Sequence, residues 1–173
     1  MIVHDNNVYK LTNLIRYSQQ RRNKNESVAE HSYFVIWFVN RLCTEYEICD
    51  RIRLMALEAA LLHDIPEIIT NDITHDVKKM IPGIPALLQP YEEEIIREHS
   101  QTSHKVLFYP EAEDEVIANL LVKLADVLSV KQYCLNEEWL GNRSFTDLRR
   151  ETEYRVATAR ETLEEAINKA KGV

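Results

Sequence analysis

Apolar residues recur at intervals of three and four along almost the whole chain, and this spacing constrains the fold more than any other feature. It is typical of amphipathic helices, in which residues three or four apart share one face. Alternating β-branched runs are scarce, and only three glycines occur in 173 residues. Both facts argue against a sandwich or a barrel. The sequence therefore predicts an all-α fold, and its length predicts one domain over residues 1–173.

Two helix starts bear on function. Ser27 followed by Glu30 is the pattern of a capping box, which predicts that a helix begins there and carries His31 near its start. Asp50 is a candidate cap for another helix, whose apolar residues nearly encircle it. That helix delivers the adjacent pair His63-Asp64 near its C-terminal end.

Prolines and glycines indicate where the helices are interrupted. Pro66 favours a break or a fresh helix start directly after His63-Asp64. Gly141 is a suitable stop for a long helix. An irregular connection is expected where four such residues cluster, at Pro82, Gly83, Pro85 and Pro90. The other expected helices span about 8–20, 74–80, 91–106, 111–140 and 145–170, with Ser144 as a candidate cap of the last.

Composition excludes some functions. A net charge of −7 argues against a general nucleic-acid binder, which needs a broadly basic face. Anionic small molecules remain possible where basic residues cluster, as they do between Arg16 and Lys24. Three cysteines without CxxC spacing indicate reduced thiols. No apolar run approaches membrane-spanning length and no signal peptide is visible, so we expect a cytoplasmic protein.

Four ionisable residues lie in or beside apolar helical stretches: His31, the pair His63-Asp64, and Asp126. Ionisable groups are costly in such surroundings unless something compensates them. Two imidazoles and two carboxylates that converge from separate helices would form a site for one divalent metal ion, with positions open to water and substrate. Cobalt, manganese, zinc, magnesium, iron and nickel all remain open at this point.

Each of these residues taken alone has a simpler interpretation. Lys123 could pair with Asp126, His31 could be a half-buried polar residue, and a bare His-Asp dipeptide is common by chance. The order His, His-Asp, Asp on successive helices is much more specific than any one member.

That order resembles the HD-domain phosphohydrolases, and the match is closest to the YfbR-like 5′-deoxynucleotidases. The resemblance extends from about Leu14 to Asn142 and implies an HD-domain helical bundle. The resembling segments are Leu14-Ile15-Arg16-Tyr17, residues 25–32, residues 63–72, Val77-Lys78, residues 123–126 and Gly141-Asn142.

The resemblance also implies roles for individual residues. The implied metal ligands are His31, His63, Asp64 and Asp126. Glu67 matches the acidic residue proposed to handle the proton of the attacking water, and Asp72 matches a residue that holds the sugar or that water. Arg16 matches a phosphate-contacting arginine. Lys78 is a second candidate, because phosphate needs fixed positive charge. Each of these four could instead be a surface or turn residue.

Position 17 departs from the subgroup's pattern, which usually has tryptophan after the arginine. That ring is implicated in the preference for a sugar without a 2′-hydroxyl. Tyr17 keeps an aromatic wall but is smaller and adds a hydroxyl group. Ribonucleotides are therefore also candidate substrates.

The leading hypothesis is an enzyme that removes the 5′-phosphate from (deoxy)nucleoside monophosphates. One alternative enzyme is a dNTP triphosphohydrolase that releases triphosphate. Two alternatives are not enzymes: a non-catalytic nucleotide-binding HD module, and a protein-interaction bundle in which the four residues satisfy one another. The expected partner is a small nucleotide rather than a nucleic-acid polymer or a membrane. A homo-oligomer is also expected, since the long last helix could pack on a neighbour.

Overall fold

The computed structural model describes residues 5–73, 75–81 and 83–172, without the side chains of residues 5, 6, 75, 76 and 79. Within these residues the only β-structure is an isolated bridge between Ile15 and Ser27, which confirms the all-α prediction. The α-helices are α1 (Asp5–Val8), α2 (Val28–Glu45), α3 (Asp50–Leu62), α4 (Glu67–Thr70), α5 (His75–Met80), α6 (Gly83–His99), α7 (Gln101–Phe108), α8 (Glu113–Trp139) and α9 (Thr146–Lys171). Short 3-10 turns span Tyr9–Thr12 and Arg143–Phe145.

Helix α8 lies in the middle of the bundle and packs against α2, α3, α7 and α9. Its side chains Leu121, Leu124 and Ala125 are completely buried in the main core. Each fully buried leucine contributes roughly 1.5–3 kcal/mol through the hydrophobic effect. The buried stretch directly before Asp126 therefore fixes that residue on a rigid element.

The start of α2 has the predicted capping box. The Ser27 side chain accepts a hydrogen bond from the Glu30 amide at 3.2 Å, and the Ser27 amide donates to the Glu30 carboxylate at 2.7 Å. A cap of this kind contributes about 1 kcal/mol. It fixes the first turn of α2 and so the position of His31, which is fully buried.

The prediction of a helix over 8–20 is wrong. Residues 5–12 form α1 and a 3-10 turn, and the backbone then pairs with the segment before α2. The Arg16 amide donates to the Glu26 carbonyl and the Val28 amide donates to the Leu14 carbonyl, both at 2.9 Å. Tyr17 adopts a left-handed conformation with φ of 55°. These long-range bonds replace the local bonds of a helix.

The proline-rich connection is also helical rather than irregular. Pro85 lies in the first turn of α6, where a missing amide hydrogen costs little. Pro90 lies in the interior of α6. Pro82 falls outside the described residues. The helix expected over 91–106 divides at Ser100, whose side chain caps α7 by accepting from the Ser103 amide.

The remaining helices agree with the sequence within a few residues. Helix α3 ends directly before His63, and α8 is followed by Gly141, whose φ of 86° suits a helix stop. Ser144 does not cap α9, because it belongs to the 3-10 turn that Asn142 caps. None of the described helices is long and apolar enough to cross a membrane. A single domain over residues 1–173 stays a prediction.

Candidate metal centre

Two imidazole rings face each other between α2 and the end of α3, with ring centres 5.6 Å apart. His63 Nδ1 lies 2.7 Å from the Ala60 carbonyl oxygen. A carbonyl can only accept a hydrogen bond, so Nδ1 carries a proton and Nε2 of the neutral ring offers a lone pair. His31 Nδ1 lies 3.1 Å from the Ser129 hydroxyl. Each ring is thus oriented through Nδ1 and directs Nε2 toward the other residues of the cluster.

Two carboxylates complete the cluster. Asp64 Oδ2 lies 3.2 Å from His63 Nε2 and 3.5 Å from His31 Nε2, and Asp126 Oδ1 lies 3.1 Å from His31 Nε2. One ligand atom from each of His31, His63 and Asp64 lies within 4.8 Å of the others. Ligand atoms bound about 2.0–2.2 Å from one ion are themselves about 3–3.6 Å apart. The distances of 3.1–3.5 Å between the carboxylate oxygens and the Nε2 atoms fall in this range, so the cluster suits a shared ion.

One buried nitrogen supports this interpretation. His63 Nε2 lies 3.2 Å from Asp64 Oδ2 but forms no hydrogen bond of good geometry with the described residues. Leaving a buried polar atom without a hydrogen bond costs about 1–3 kcal/mol. A divalent cation would satisfy it, and two imidazoles with two carboxylates are a suitable donor set for zinc and similar metals. The residues present therefore fit one divalent metal ion.

The pKa values in the cluster follow from its crowding. Burial alone would lower the pKa of His63, but the adjacent Asp64 carboxylate raises it to about 9. Burial alone would raise the pKa of Asp64, but His63 holds it well below its usual value. Burial lowers the pKa of His31, and nearby Arg16 lowers it further. The nearby carboxylates thus favour a protonated His63. Because a histidine must be deprotonated to bind a metal, a bound cation would take the place of this proton.

Glu67 begins α4 one helical turn after the His63-Asp64 pair. Its Oε2 atom is buried and makes no hydrogen bond within the described residues. Burial and the nearby carboxylates of Asp64 and Asp72 raise the pKa of Glu67 to about 8. A carboxyl group with a pKa near neutrality can accept and release a proton during a reaction.

The cluster opens into a cavity of about 210 Å³, which we call the metal cavity. Its lining comprises Arg16, Tyr17, His31, Asp64, Glu67, Asp72, Ile73, Lys78, Asp126, Val130, Leu148 and Arg155. His63 lines an adjoining cavity of about 200 Å³ that shares Asp64, Glu67, Ile73 and Lys78 with the first. The structure therefore brings together all nine residues singled out from the sequence.

Arg16 reaches the metal cavity from the paired segment before α2. Its guanidinium forms an ion pair with Glu26 at 3.1 Å. Burial would lower its pKa, but Tyr17 and the nearby carboxylates of Asp126, Asp64 and Glu26 raise it. Because a guanidinium has five donors, Arg16 can bind a further anion while it keeps Glu26.

Tyr17 forms a fixed part of the cavity wall. Its ring stacks on Tyr133 with centres 5.0 Å apart and meets Phe145 edge to face at 5.4 Å. The Arg16 guanidinium lies 5.2 Å from the centre of the Tyr17 ring. These contacts fix the orientation of the ring although the backbone at Tyr17 is left-handed.

Sequence reasoning missed several residues that hold or extend the site. Ser129 lies three residues after Asp126, so the two share one face of α8, and this spacing could have identified it. Glu26 lies in a segment that was noted, but nothing local indicated its pairing with Arg16. Lys123 was a possible partner of Asp126, yet the described residues show Asp126 next to His31 instead. Arg155 lines the metal cavity from α9 and was not anticipated.

Comparison with solved structures shows the same fold in known HD-domain proteins. The HD phosphohydrolase DatZ of cyanophage S-2L, solved with dA and one catalytic Zn²⁺ ion, is 18% identical with a TM-score of 0.73. The alignment covers 98% of this chain and 99% of that one. An HD-domain phosphohydrolase from Listeria innocua is 19% identical with a TM-score of 0.66, over 94% of this chain and 82% of that one. At these identities the likeness establishes the HD-domain helical bundle.

Sequence comparison adds the family. No curated protein sequence matches the chain. The family model described as 5′-deoxynucleotidase YfbR-like matches residues 6–167, which is nearly the whole length. The chain therefore belongs to the YfbR-like 5′-deoxynucleotidase family and is a metal-dependent nucleotide hydrolase.

Proposed function

We propose that the chain removes the 5′-phosphate from (deoxy)nucleoside monophosphates and releases the nucleoside and orthophosphate. One observation carries the proposal: His31, His63 and Asp64 offer ligand atoms within 4.8 Å of one another, with Asp126 3.1 Å from His31, beside a cavity that also contains basic residues. The cyanophage relative with dA bound supports a deoxynucleoside as part of the substrate.

The proposed metal ligands are His31, His63, Asp64 and Asp126. A divalent ion held by them would lower the pKa of water and polarise a phosphoryl oxygen. Zinc is the first metal to test, because the cyanophage relative holds one catalytic Zn²⁺ ion. The orientation of His63 by the Ala60 carbonyl and of His31 by Ser129 supports this assignment, since ligating histidines are commonly held through their second nitrogen.

We assign proton transfer to Glu67 and phosphate binding to Arg16 and Lys78. Water supplies the oxygen that bonds to phosphorus while the bond to the 5′-oxygen breaks. Glu67 takes a proton from that water and passes a proton to the 5′-oxygen, which leaves as a hydroxyl and returns Glu67 to its carboxylate form. The pKa of about 8 for Glu67 and its position at the cavity support the role. Arg16 and Lys78 offset the negative charge of the phosphate.

Asp72 and Tyr17 are assigned to the sugar side of the substrate. Asp72 lines the metal cavity and lies close enough to Glu67 to raise its pKa, so it can hold either the sugar or the attacking water. Tyr17 offers an aromatic wall of fixed orientation. A smaller ring than tryptophan at this position leaves more space near the sugar, so both deoxy- and ribonucleotides belong in the test.

A substrate panel tests the proposal directly. Wild-type protein is incubated with dNMPs, NMPs and dNTPs in the presence of Zn²⁺, Mn²⁺, Co²⁺ or Mg²⁺, and phosphate is separated from triphosphate. We expect phosphate release from the monophosphates. Release of triphosphate from dNTPs would favour the triphosphohydrolase alternative, and nucleotide binding without turnover would favour a non-catalytic module.

Asp126→Ala tests the metal centre itself. We expect a loss of turnover of at least about 100-fold, because even groups that only support metal ligands are worth about 10–100-fold. The helical far-UV signal should survive. Asp147→Ala is the matched control, because Asp147 is almost fully exposed on α9. Wild-type rates in Asp126→Ala would show that the assigned site is wrong. The cytoplasmic location and the homo-oligomer stay predictions.

A further inference from the structure

Helix α9 packs on α8 through side chains that recur at spacings of three and four, as helix packing requires. The buried ones are Thr152, Val156, Leu163 and Ile167. Three of the four arginines of α9 lie beside this buried face: Arg149, Arg155 and Arg160. Arg155 is half-buried, and it lines a groove together with Asp126 and Val127 of α8. A charge at such a position is costly unless an anion compensates it.

The other arginines of α9 all have carboxylate partners. Arg149 pairs with Glu138 at 2.7 Å and with Glu153 at 2.6 Å, and Arg160 pairs with Glu45 at 2.6 Å. Arg150 lies 3.6 Å from Asp147. Arg155 forms no hydrogen bond or ion pair with any residue that the structure describes. Arg155 therefore lines the metal cavity while its guanidinium donors have no acceptor among the described residues.

We propose that Arg155 binds a phosphate group of the substrate. The inference rests on the proposed function, since it assigns the anion to the nucleotide that the metal cavity would hold. Arg16, the other arginine of this cavity, already pairs with Glu26. Arg155 contributes a guanidinium that no described carboxylate neutralises, on the side of the cavity formed by α8 and α9. Its planar fork can donate two parallel hydrogen bonds to one phosphate.

The competing explanation is packing. An arginine can cover apolar surface with its aliphatic stem while its charged end stays in water. In that case the stem of Arg155 would matter for the contact between α8 and α9, and the charge would not. Arg155→Met separates the two roles, because methionine keeps an unbranched apolar stem and removes the charge.

The decisive experiment is calorimetric titration of inorganic phosphate into the zinc-loaded protein, in parallel with KM for a dNMP. We expect Arg155→Met to weaken phosphate binding and raise KM by about tenfold or more, as loss of a charge-assisted hydrogen-bond pair predicts. Arg155→Lys should be intermediate, because an ammonium group cannot donate as a fork. Arg150→Met, which removes the same charge from an exposed position on α9, should behave as the wild type.

The outcomes separate the two proposals. If the wild type binds phosphate through Arg155 but hydrolyses no nucleotide, the proposed function fails and this inference stands. If the wild type hydrolyses dNMPs while Arg155→Met keeps the wild-type phosphate affinity and KM, this inference alone is overturned. A wild-type protein that binds no phosphate also overturns it. Should Arg155→Met fail to fold by far-UV circular dichroism, Arg155→Gln provides the same comparison.

Discussion

Glu137 holds the loop before α2 against the middle of the bundle. Its side chain is fully buried on α8. One carboxylate oxygen accepts from the Lys24 amide at 2.7 Å, and the other accepts from the Asn23 amide at 2.7 Å and from the Asn142 side chain at 2.6 Å. This loop connects the segment that carries Arg16 to the helix that carries His31, so Glu137 links both to α8.

Glu137→Gln removes one of the two acceptor oxygens with almost no change in volume. The new amide group then faces at least one buried donor, and a lost hydrogen bond to a charged group costs about 1.5–3 kcal/mol. The bonds that remain are weaker, because the acceptor is no longer ionised. We therefore expect the free energy of unfolding to fall by about 2–4 kcal/mol.

Urea unfolding followed by far-UV circular dichroism measures this change. Glu161→Gln is the control, since Glu161 is exposed on α9 and a surface change of this kind is within about 0.5 kcal/mol. If Glu137→Gln unfolds at the same urea concentration as the control, the three hydrogen bonds do not hold the loop and the reasoning is refuted.

The stability that Glu137 contributes should also depend on pH. Burial alone would raise the pKa of Glu137, but the hydrogen bonds from the Asn23 amide, the Asn142 side chain and the Lys24 amide lower it below its usual 4.5. A group whose pKa is lowered by folding stabilises the protein above its unfolded pKa and loses that contribution as the pH falls through its folded pKa. The difference in stability between the wild type and Glu137→Gln should therefore shrink in acid. A constant difference from pH 7 down to pH 3 would contradict this.

Two further predictions concern the metal cavity. Tyr17→Trp should raise the ratio of deoxy- to ribonucleotide kcat/KM severalfold, because the larger ring fills space beside the sugar; an unchanged ratio would remove Tyr17 from the sugar site. EDTA should lower the melting temperature of the zinc-loaded protein, since a ligand that binds only the folded state stabilises it by about 2.7 kcal/mol at 100 times its Kd. An unchanged melting temperature together with no bound metal on elemental analysis would favour the bundle without a cofactor.

Local signals in the sequence were enough to predict those elements whose stabilising interactions are themselves local. The capping box of Ser27 and Glu30 uses only residues three apart, and the structure contains it. Helices α8 and α9 are long and strongly periodic, so their presence could be predicted. The expected helix over 8–20 failed because only Leu11, Leu14 and Ile15 supported it. Backbone pairing with residues 26–28, ten to fourteen positions away, determined that segment instead.

The candidate site was predictable for a different reason. His31 and Asp126 stand out as ionisable groups among apolar helical neighbours. The conflict between their charge and these surroundings is visible without knowing which helices meet. The structure resolves the conflict by placing Asp126 Oδ1 3.1 Å from His31 Nε2, across 95 positions of sequence. A resemblance to a family with ligands in the same order then suggested which residues converge.

The supporting contacts could not be predicted, because each joins residues that look ordinary on their own. Glu26 resembles any loop glutamate until it is found beside Arg16, and Ser129 has no distinctive neighbours until His31 lies 3.1 Å away. Arg155 shows where one more step was possible. The test that identified Asp126, a charge near the packed face of a helix, applies to three half-buried arginines of α9, and the structure pairs Arg149 and Arg160 with carboxylates but gives Arg155 none among the described residues. Once α9 is known to pack on α8, this charge indicates an anion that the described chain does not supply.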